Sequence, residues 1–480
     1  MKQKLQRLAS CVLTGCLLAV SLQLLTNLME RKDSIRKYQP FLEQEADFDV
    51  LFMGTSHVLD GVFPMELWND HGIVSYNFGG GGNRVPTTYW VMENALDHTT
   101  PKLIVVDCQG IEWDVKTNQN SYSYVHASLD AFPLSATKIR AVLDLLDDPV
   151  LSERAAAGAA LGTEKRTPIG LLWNFSVYHT RWNELDQDDF QIVATPEKGA
   201  YSVAAVDVPQ NVPKIDRNEK LEGNTVGIEY LEKIIEKCQA RGIDVLLTYL
   251  PFPAGAAEQR EANRVRDIAA EYGVGYINFL DMDIVDFDTD CADSSSHLNA
   301  SGARKVTDYL GRYITEHYQI PDQRSNPAYS GWFEDYEEYT AMKIRNLRLQ
   351  SGWDTYLMLL ADKNFDAVVE IGDPDIWNDA EFVNLAENLG VDMSGVPDAA
   401  NYLMIRRGGL QAQAVRLDTA ADTQTDTVLG PLRISHGGSG KHTVYLNDAE
   451  CFLPDGDDTG NIRIYVRDSE TLDTVGQAAF

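Results

Sequence analysis

The stretch Asp49-Val50-Leu51-Phe52-Met53-Gly54-Thr55-Ser56-His57 decides the fold. Four apolar residues run straight into Gly-Thr-Ser. That is the pattern of a parallel strand buried on both faces that ends by lifting a hydroxyl to the top of a sheet. Its counterpart lies far downstream, at Asp293-Ser294-Ser295-Ser296-His297-Leu298-Asn299. An acid and an imidazole stand there just before a helix. Only a fold that returns to its first strand can bring the two together.

Between them, from Phe48 to Tyr313, short apolar segments alternate with helix-period segments. Val50–Met53, Ile73–Tyr76, Leu103–Asp107, Val245–Tyr249 and Tyr276–Asn278 read as parallel strands. Gly227–Ala240 and Glu258–Glu271 read as the helices between the later ones, each closing on a glycine-containing turn. The expected class is α/β: a doubly wound, flavodoxin-like parallel sheet with a helical insertion, followed by a β-rich or α/β accessory domain. Ligands of such sheets bind beyond the carboxyl ends of the strands, where Ser56 falls.

A serine hydroxyl is a weak nucleophile until an imidazole takes its proton, and an acid fixes that imidazole's tautomer. Ser56, His297 and Asp293 supply these three groups, with Asp290 as an alternative acid. The loop Asn77-Phe78-Gly79-Gly80-Gly81-Gly82-Asn83 follows the second strand. Both phosphate-loop patterns fail there: no Gly-Lys-Ser/Thr closes the run, and no acidic ribose ligand follows. A plain turn is one reading. The other is that glycine amides, together with Asn83 or Gln109, donate to an oxyanion. As an N-cap of the helix that follows, Ser56 would need no chemistry, and Ser301 is the expected cap of the helix Gly302–His317.

These residues resemble the SGNH/GDSL hydrolases over roughly Phe48 to Tyr313. Gly54-Thr55-Ser56 is similar to the block carrying the nucleophile, Asn77-x-Gly79-x-x-Gly82 to the block whose last glycine gives an oxyanion amide, and Asp293 to His297 with Leu298-Asn299-x-x-Gly302 to the block with acid and base. The nearest likeness is to the membrane-anchored cell-surface branch, similar to alginate-type O-acetyltransferases and teichoic-acid D-alanylation proteins. Two departures stand out. Asp107-Cys108-Gln109-Gly110 replaces the third block's Gly-x-Asn-Asp, and the acid lies four residues before the histidine instead of three. The resemblance implies an esterase or O-acyltransferase working through an acyl-serine on an extracellular glycan, without a metal or cofactor. It also implies a membrane-bound acyl-donor partner. The rival reading is a non-catalytic glycan-binding or assembly scaffold that keeps the fold.

The N-terminus suits that setting. Lys2, Lys4 and Arg7 precede the uncharged run Leu8–Leu25, which reads as a signal-anchor helix over residues 1–35 with the chain beyond it outside the cell. No Ala-x-Ala site follows, so the helix is expected to stay. A formal net charge of -31 across 480 residues excludes a nucleic-acid partner, which needs a basic footprint. The six cysteines have no metal-ligand spacing; a Cys238–Cys291 bridge stays open.

Residues 118–208 interrupt the strand pattern with helical stretches (Ala136–Leu146, Ser152–Leu161) and the aromatic segment Trp173 to Trp182. This insertion is expected to cap the site. His179, Arg181 and Trp182 would then hold a sugar ring or an anionic polymer, or else simply pack a small helical cap. Pro321–Pro327 reads as a linker, and 330–480 as the accessory unit within a 36–320 plus 330–480 layout. Its end, Ile434-Ser435-His436-Gly437-Gly438 through Ile462 to Asp468, faintly resembles GG-type lectin-like domains that bind sugars.

Overall fold

The computed structural model describes all residues except 1, 157–166, 191–194, 210–212, 294–296, 373, 397–400, 418–420, 437–441 and 453–461. At its centre is a five-stranded parallel sheet: β1 (Val50–Gly54), β2 (Ser75–Gly79), β3 (Leu103–Asp107), β4 (Asp244–Tyr249) and β5 (Gly275–Asn278). The order is β2-β1-β3-β4-β5, so the chain reverses direction between β1 and β3, and the crevice at that switch point opens beyond the ends of these two strands. Every residue of β1 and β3 is buried. One face packs Leu51, Met53, Ile104, Val106 and Leu247 against the helices. The other packs Val50, Phe52, Val105 and Leu246 against the helix Ala300–His317.

The second strand starts two residues later than its hydrophobicity suggests. Ile73 and Val74 are buried in the approach, while Asn77 lies inside β2. A buried amide is tolerated there because it is fully used. Asn77 Nδ2 donates to Val58 O (2.6 Å) and Val62 O (2.8 Å), and Oδ1 accepts from Gly79 N–H (2.8 Å). These bonds hold the short helix α3 (Ser56–Gly61) against the sheet. Contact is closest at Gly79, where a Cβ would lie 2.2 Å from Leu59 N.

The N-terminal helix α1 (Lys2–Met29) contains an apolar span, Gln6–Met29, long enough to cross a membrane, a test that a signal sequence also passes. The next helix, α2 (Lys32–Leu42), turns its buried Tyr38 and Phe41 onto Phe78. The insertion forms helices at Ser123–Leu129, Ala136–Leu146, Pro149–Ala156, Pro168–Leu172 and Phe175–Tyr178. The rest of the stretch read as Ser152–Leu161 lies outside the described residues. All six cysteines are free; Cys238 packs on Met92 instead of bridging Cys291.

The C-terminal region is antiparallel. A five-stranded sheet runs in the order Thr474–Ala479, Ile462–Asp468, Phe365–Ile371, Tyr402–Arg407, Gln411–Arg416. Helices that include Ala380–Asn388 cover one face. The other face packs Val368, Leu403 and Ile405 on a four-stranded sheet through Leu432, Ile434 and Val444. Gly437 and Gly438 fall outside the described residues. The stretch read as a linker is fastened to the parallel sheet: Gln323 donates to Asp49 (2.8 Å) and Tyr329 to Asp47 O (2.6 Å). A buried ionic cluster joins the two regions. Lys343 lies 3.0 Å from both Glu66 and Asp362, and Arg304 lies 3.1 Å from Asp362.

Candidate active site

The strand β1 stops at Gly54, where a Cβ would lie 2.6 Å from Val58 Cγ2, so only glycine lets α3 start this close to the strand end. Thr55 caps α3. Its Oγ1 accepts from His57 N–H (3.3 Å) and donates to Gln109 Oε1 (2.8 Å), tying the end of β1 to the second residue beyond β3. Ser56 is the first residue of the helix. The N–H groups of Val58 and Leu59 go to Thr55 O. Ser56 N–H has no partner among the described residues, as expected in a helix's first turn.

The imidazole arrives where two short segments pair across the chain. Ala292 N–H donates to His297 O (2.9 Å) and Asn299 N–H to Asp290 O (2.9 Å), with Cys291 and Leu298 bridged between them. Asn299 anchors this pairing. Its Oδ1 caps the helix Ala300–His317 through Ser301 and Gly302 N–H (3.0 and 3.2 Å), and its Nδ2 donates to Thr289 O and Ala205 O. The cap is therefore Asn299 and not Ser301, whose hydroxyl instead accepts from Asn388 (3.1 Å). Gly302 is needed at that position because a Cβ would sit 2.7 Å from Asp290 O.

The result is a linear array. His297 Nε2 lies 2.9 Å from Ser56 Oγ, and His297 Nδ1 lies 2.5 Å from Asp293 Oδ2. With the ring proton on Nδ1, shared with the carboxylate, Nε2 accepts from the serine hydroxyl. Asp290 is occupied elsewhere: fully buried, it pairs with Lys305 (2.6 Å) and accepts from Asp286 N–H (2.8 Å). Of the two acids, Asp293 is the one that meets the imidazole, and its side chain stays 42% exposed.

The glycine loop lies beside this array. Gly80 N–H donates to Gly54 O (3.2 Å). Gly82 sits at φ +63, where a Cβ would lie 2.7 Å from the Tyr124 ring, so both conformation and space demand glycine. Asn83 is buried. Its Oδ1 accepts from Ser128 (2.8 Å), and its Nδ2 lacks a partner and lies against Gly80. A buried amide donor left unpaired costs about 1–3 kcal/mol. Gln109 turns its carbonyl oxygen to Thr55, and Asp107 behind it is pushed up to about 7 by burial, opposed by N–H bonds from Leu250 and Gln109.

Three titratable groups near the array escaped the sequence reading. Asp60 stands one helical turn after Ser56 and within electrostatic reach of His297; burial raises its carboxyl, while His297 and Lys37 oppose the rise. The i, i+4 spacing from Ser56 was a usable signal. Lys37, from α2, donates to Gly79 O and is pushed down to about 7 by burial. Glu197 is pushed up to about 7 by burial. His57 is also beside the site, edge-on to Phe252 and 5.7 Å from the His297 ring. Burial and His297 push it down to about 3, so it stays neutral.

The aromatic segment, open to two readings, makes its contacts with the end of α1 and within its own helix. Arg181 donates to Met29 O (2.7 Å) and Glu30 O (3.0 Å) and forks onto Asp189 (3.1 Å for each oxygen). Its guanidinium bonds the end of α1 and Asp189. His179 bonds its own helix at Phe175 O and Ser176 O, and Trp182 is 70% exposed.

No protein-family model and no curated protein matches the chain. Among solved structures, a Bacteroides fragilis protein described as a "putative acylhydrolase" aligns with 60% of this chain and 98% of its own, at 11% identity and a TM-score of 0.29. A likeness that slight carries no argument. The function has to be argued from the site itself.

Proposed function

We propose that the protein is a serine esterase or O-acyltransferase of SGNH type that works through an acyl-serine. The observation that carries this reading is the Ser56–His297–Asp293 array at the carboxyl end of β1. In the first step Ser56 Oγ attacks an acyl carbonyl while its proton passes to His297 Nε2. Asp293 stabilises the imidazolium. The oxyanion would be met by Ser56 N–H, Gly82 N–H and Asn83 Nδ2, each well-placed donor lowering the barrier by about 3 kcal/mol. The proton on Nε2 then goes to the departing alcohol, leaving the acyl group on Ser56. In the second step His297 takes a proton from an acceptor hydroxyl, whose oxygen attacks the acyl-serine, and the proton passes from Nε2 to the departing Ser56 Oγ.

Water as acceptor makes an esterase, and a sugar hydroxyl makes a transferase. We favour an outward-facing enzyme acting on acyl groups of an extracellular glycan. Support comes from the charge pattern around α1 and from the half-exposed acid, which fits an open, wet site. A membrane-bound donor that hands acyl groups to Ser56 belongs to the same reading.

With p-nitrophenyl acetate as acyl donor, the Ser56→Ala variant is expected to lose roughly 10⁴-fold or more in kcat, to near background. Equal turnover by wild type and variant would remove the reading.

A further inference from the structure

The end of α1 is built into the insertion. Lys32 Nζ donates to Asn27 O (2.6 Å), Leu28 O (3.2 Å) and Glu30 O (2.8 Å), capping the last turn. Arg181 donates to Met29 O and Glu30 O, Asn174 to the Glu30 carboxylate (3.1 Å), and Asp189 links Lys32 with Arg181. The helix Phe175–Tyr178 packs on α1. These contacts fix the height of the insertion relative to α1. A cleft of about 420 Å³ makes the point, with Gln23, Thr26 and Asn27 on one wall and Leu134, Leu172 and Trp173 on the other.

Helix length sets that height against a bilayer. At 1.5 Å per residue, Leu8–Leu25 spans about 27 Å, close to the roughly 30 Å of a hydrocarbon core. Thr26 to Met29 then lie at the outer headgroup zone, and so does whatever packs beside them. Leu134 is 68% exposed there and Trp173 38%, while Trp182, next to Arg181, is 70% exposed. Large apolar side chains left bare in water are unfavourable, and tryptophan is enriched at this depth.

We propose that the insertion is a second membrane contact, with Leu134, Trp173 and Trp182 entering the headgroup zone of the bilayer that α1 crosses. It rests on α1 being a retained anchor. The contact would hold the catalytic sheet close to the membrane, since Lys37, halfway along the roughly 16 Å helix α2 that follows α1, donates to Gly79 O at the end of β2.

The test uses the full-length chain with Cys11→Ser and Cys16→Ser, carrying a nitrobenzoxadiazole label on one introduced cysteine. Leu24→Cys, Leu134→Cys, Trp182→Cys and Leu410→Cys are compared in phosphatidylcholine–phosphatidylglycerol vesicles. Lipids with a nitroxide near the headgroup are expected to quench labels at 134 and 182 several-fold more than the label at 410, which aqueous iodide quenches instead. If the label at 24 is lipid-quenched while those at 134 and 182 behave like 410, the second contact is wrong and the anchor stands. If the label at 24 is also iodide-quenched, the anchor reading falls, and this inference with it.

Discussion

Replacing His297 with alanine is expected to lower kcat for acyl turnover by roughly 10⁴-fold with little change in KM or thermal stability. The ring is half-exposed, and its two nitrogens face Ser56 Oγ and Asp293. Its loss therefore removes the base without opening a core. Asp293→Asn should cost less, about 10²- to 10³-fold, because a carboxylate that remains 42% exposed is partly screened by water. Asp290→Asn gives the contrast. Its carboxylate holds Lys305 and Asp286 N–H beneath the paired segments, so the variant should lose stability first and activity only as the pairing loosens. Steady-state kinetics alongside thermal denaturation of the three variants separates these outcomes. A kinetic loss for Asp290→Asn larger than for Asp293→Asn would reassign the acid.

The second large effect is on stability. Lys343→Met is expected to destabilise the protein by about 3 kcal/mol, because it removes the ammonium that two buried carboxylates share and leaves Arg304 and the more exposed Lys363 as their remaining cations. Glu66 and Asp362 each lie 3.0 Å from Lys343, and the side chains of all three are at most 6% exposed. Burial alone would raise the Asp362 carboxyl; Arg304 and Lys343 outweigh it and hold it well below the usual carboxylate range. The loss should appear as a lower urea midpoint. Because the cluster joins the helix Pro64–His71 to the region after residue 330, the variant should also unfold in two steps if the regions are independently stable.

Much of this was legible in the sequence because the parallel strands are buried on both faces. Leu103–Asp107 and Val245–Tyr249 announce themselves as apolar runs, and the helix Ala136–Leu146 by its 3.6 period. Asn77 hid part of β2, since a polar residue inside a strand looks like a loop until its two carbonyl partners are known. The edge strands Thr423–Thr427 and Thr474–Ala479 were missed for a different reason: pairing along one side, with much of their surface exposed, they carry no apolar alternation. At the site, Ser56, His297 and Asp293 were readable from residue types and spacing. Asp60 and Lys37 were not read, because the approach of Asp60 to His297 and of Lys37 to Asp60 depends on how α2 and α3 pack. For Arg181 the residue types left ligand binding and cap packing both open. An arginine among aromatics suggests ligand binding, yet it is used to cap the end of α1.

The central claim is that Ser56 is a nucleophile activated by His297. Treating the full-length protein with a fluorophosphonate and mapping the adduct by peptide mass spectrometry tests it most directly. One phosphonyl group on Ser56, with labelling slowed by orders of magnitude in folded His297→Ala, is the predicted result. An unmodified Ser56 in folded wild-type protein, or a label on another residue, would contradict it.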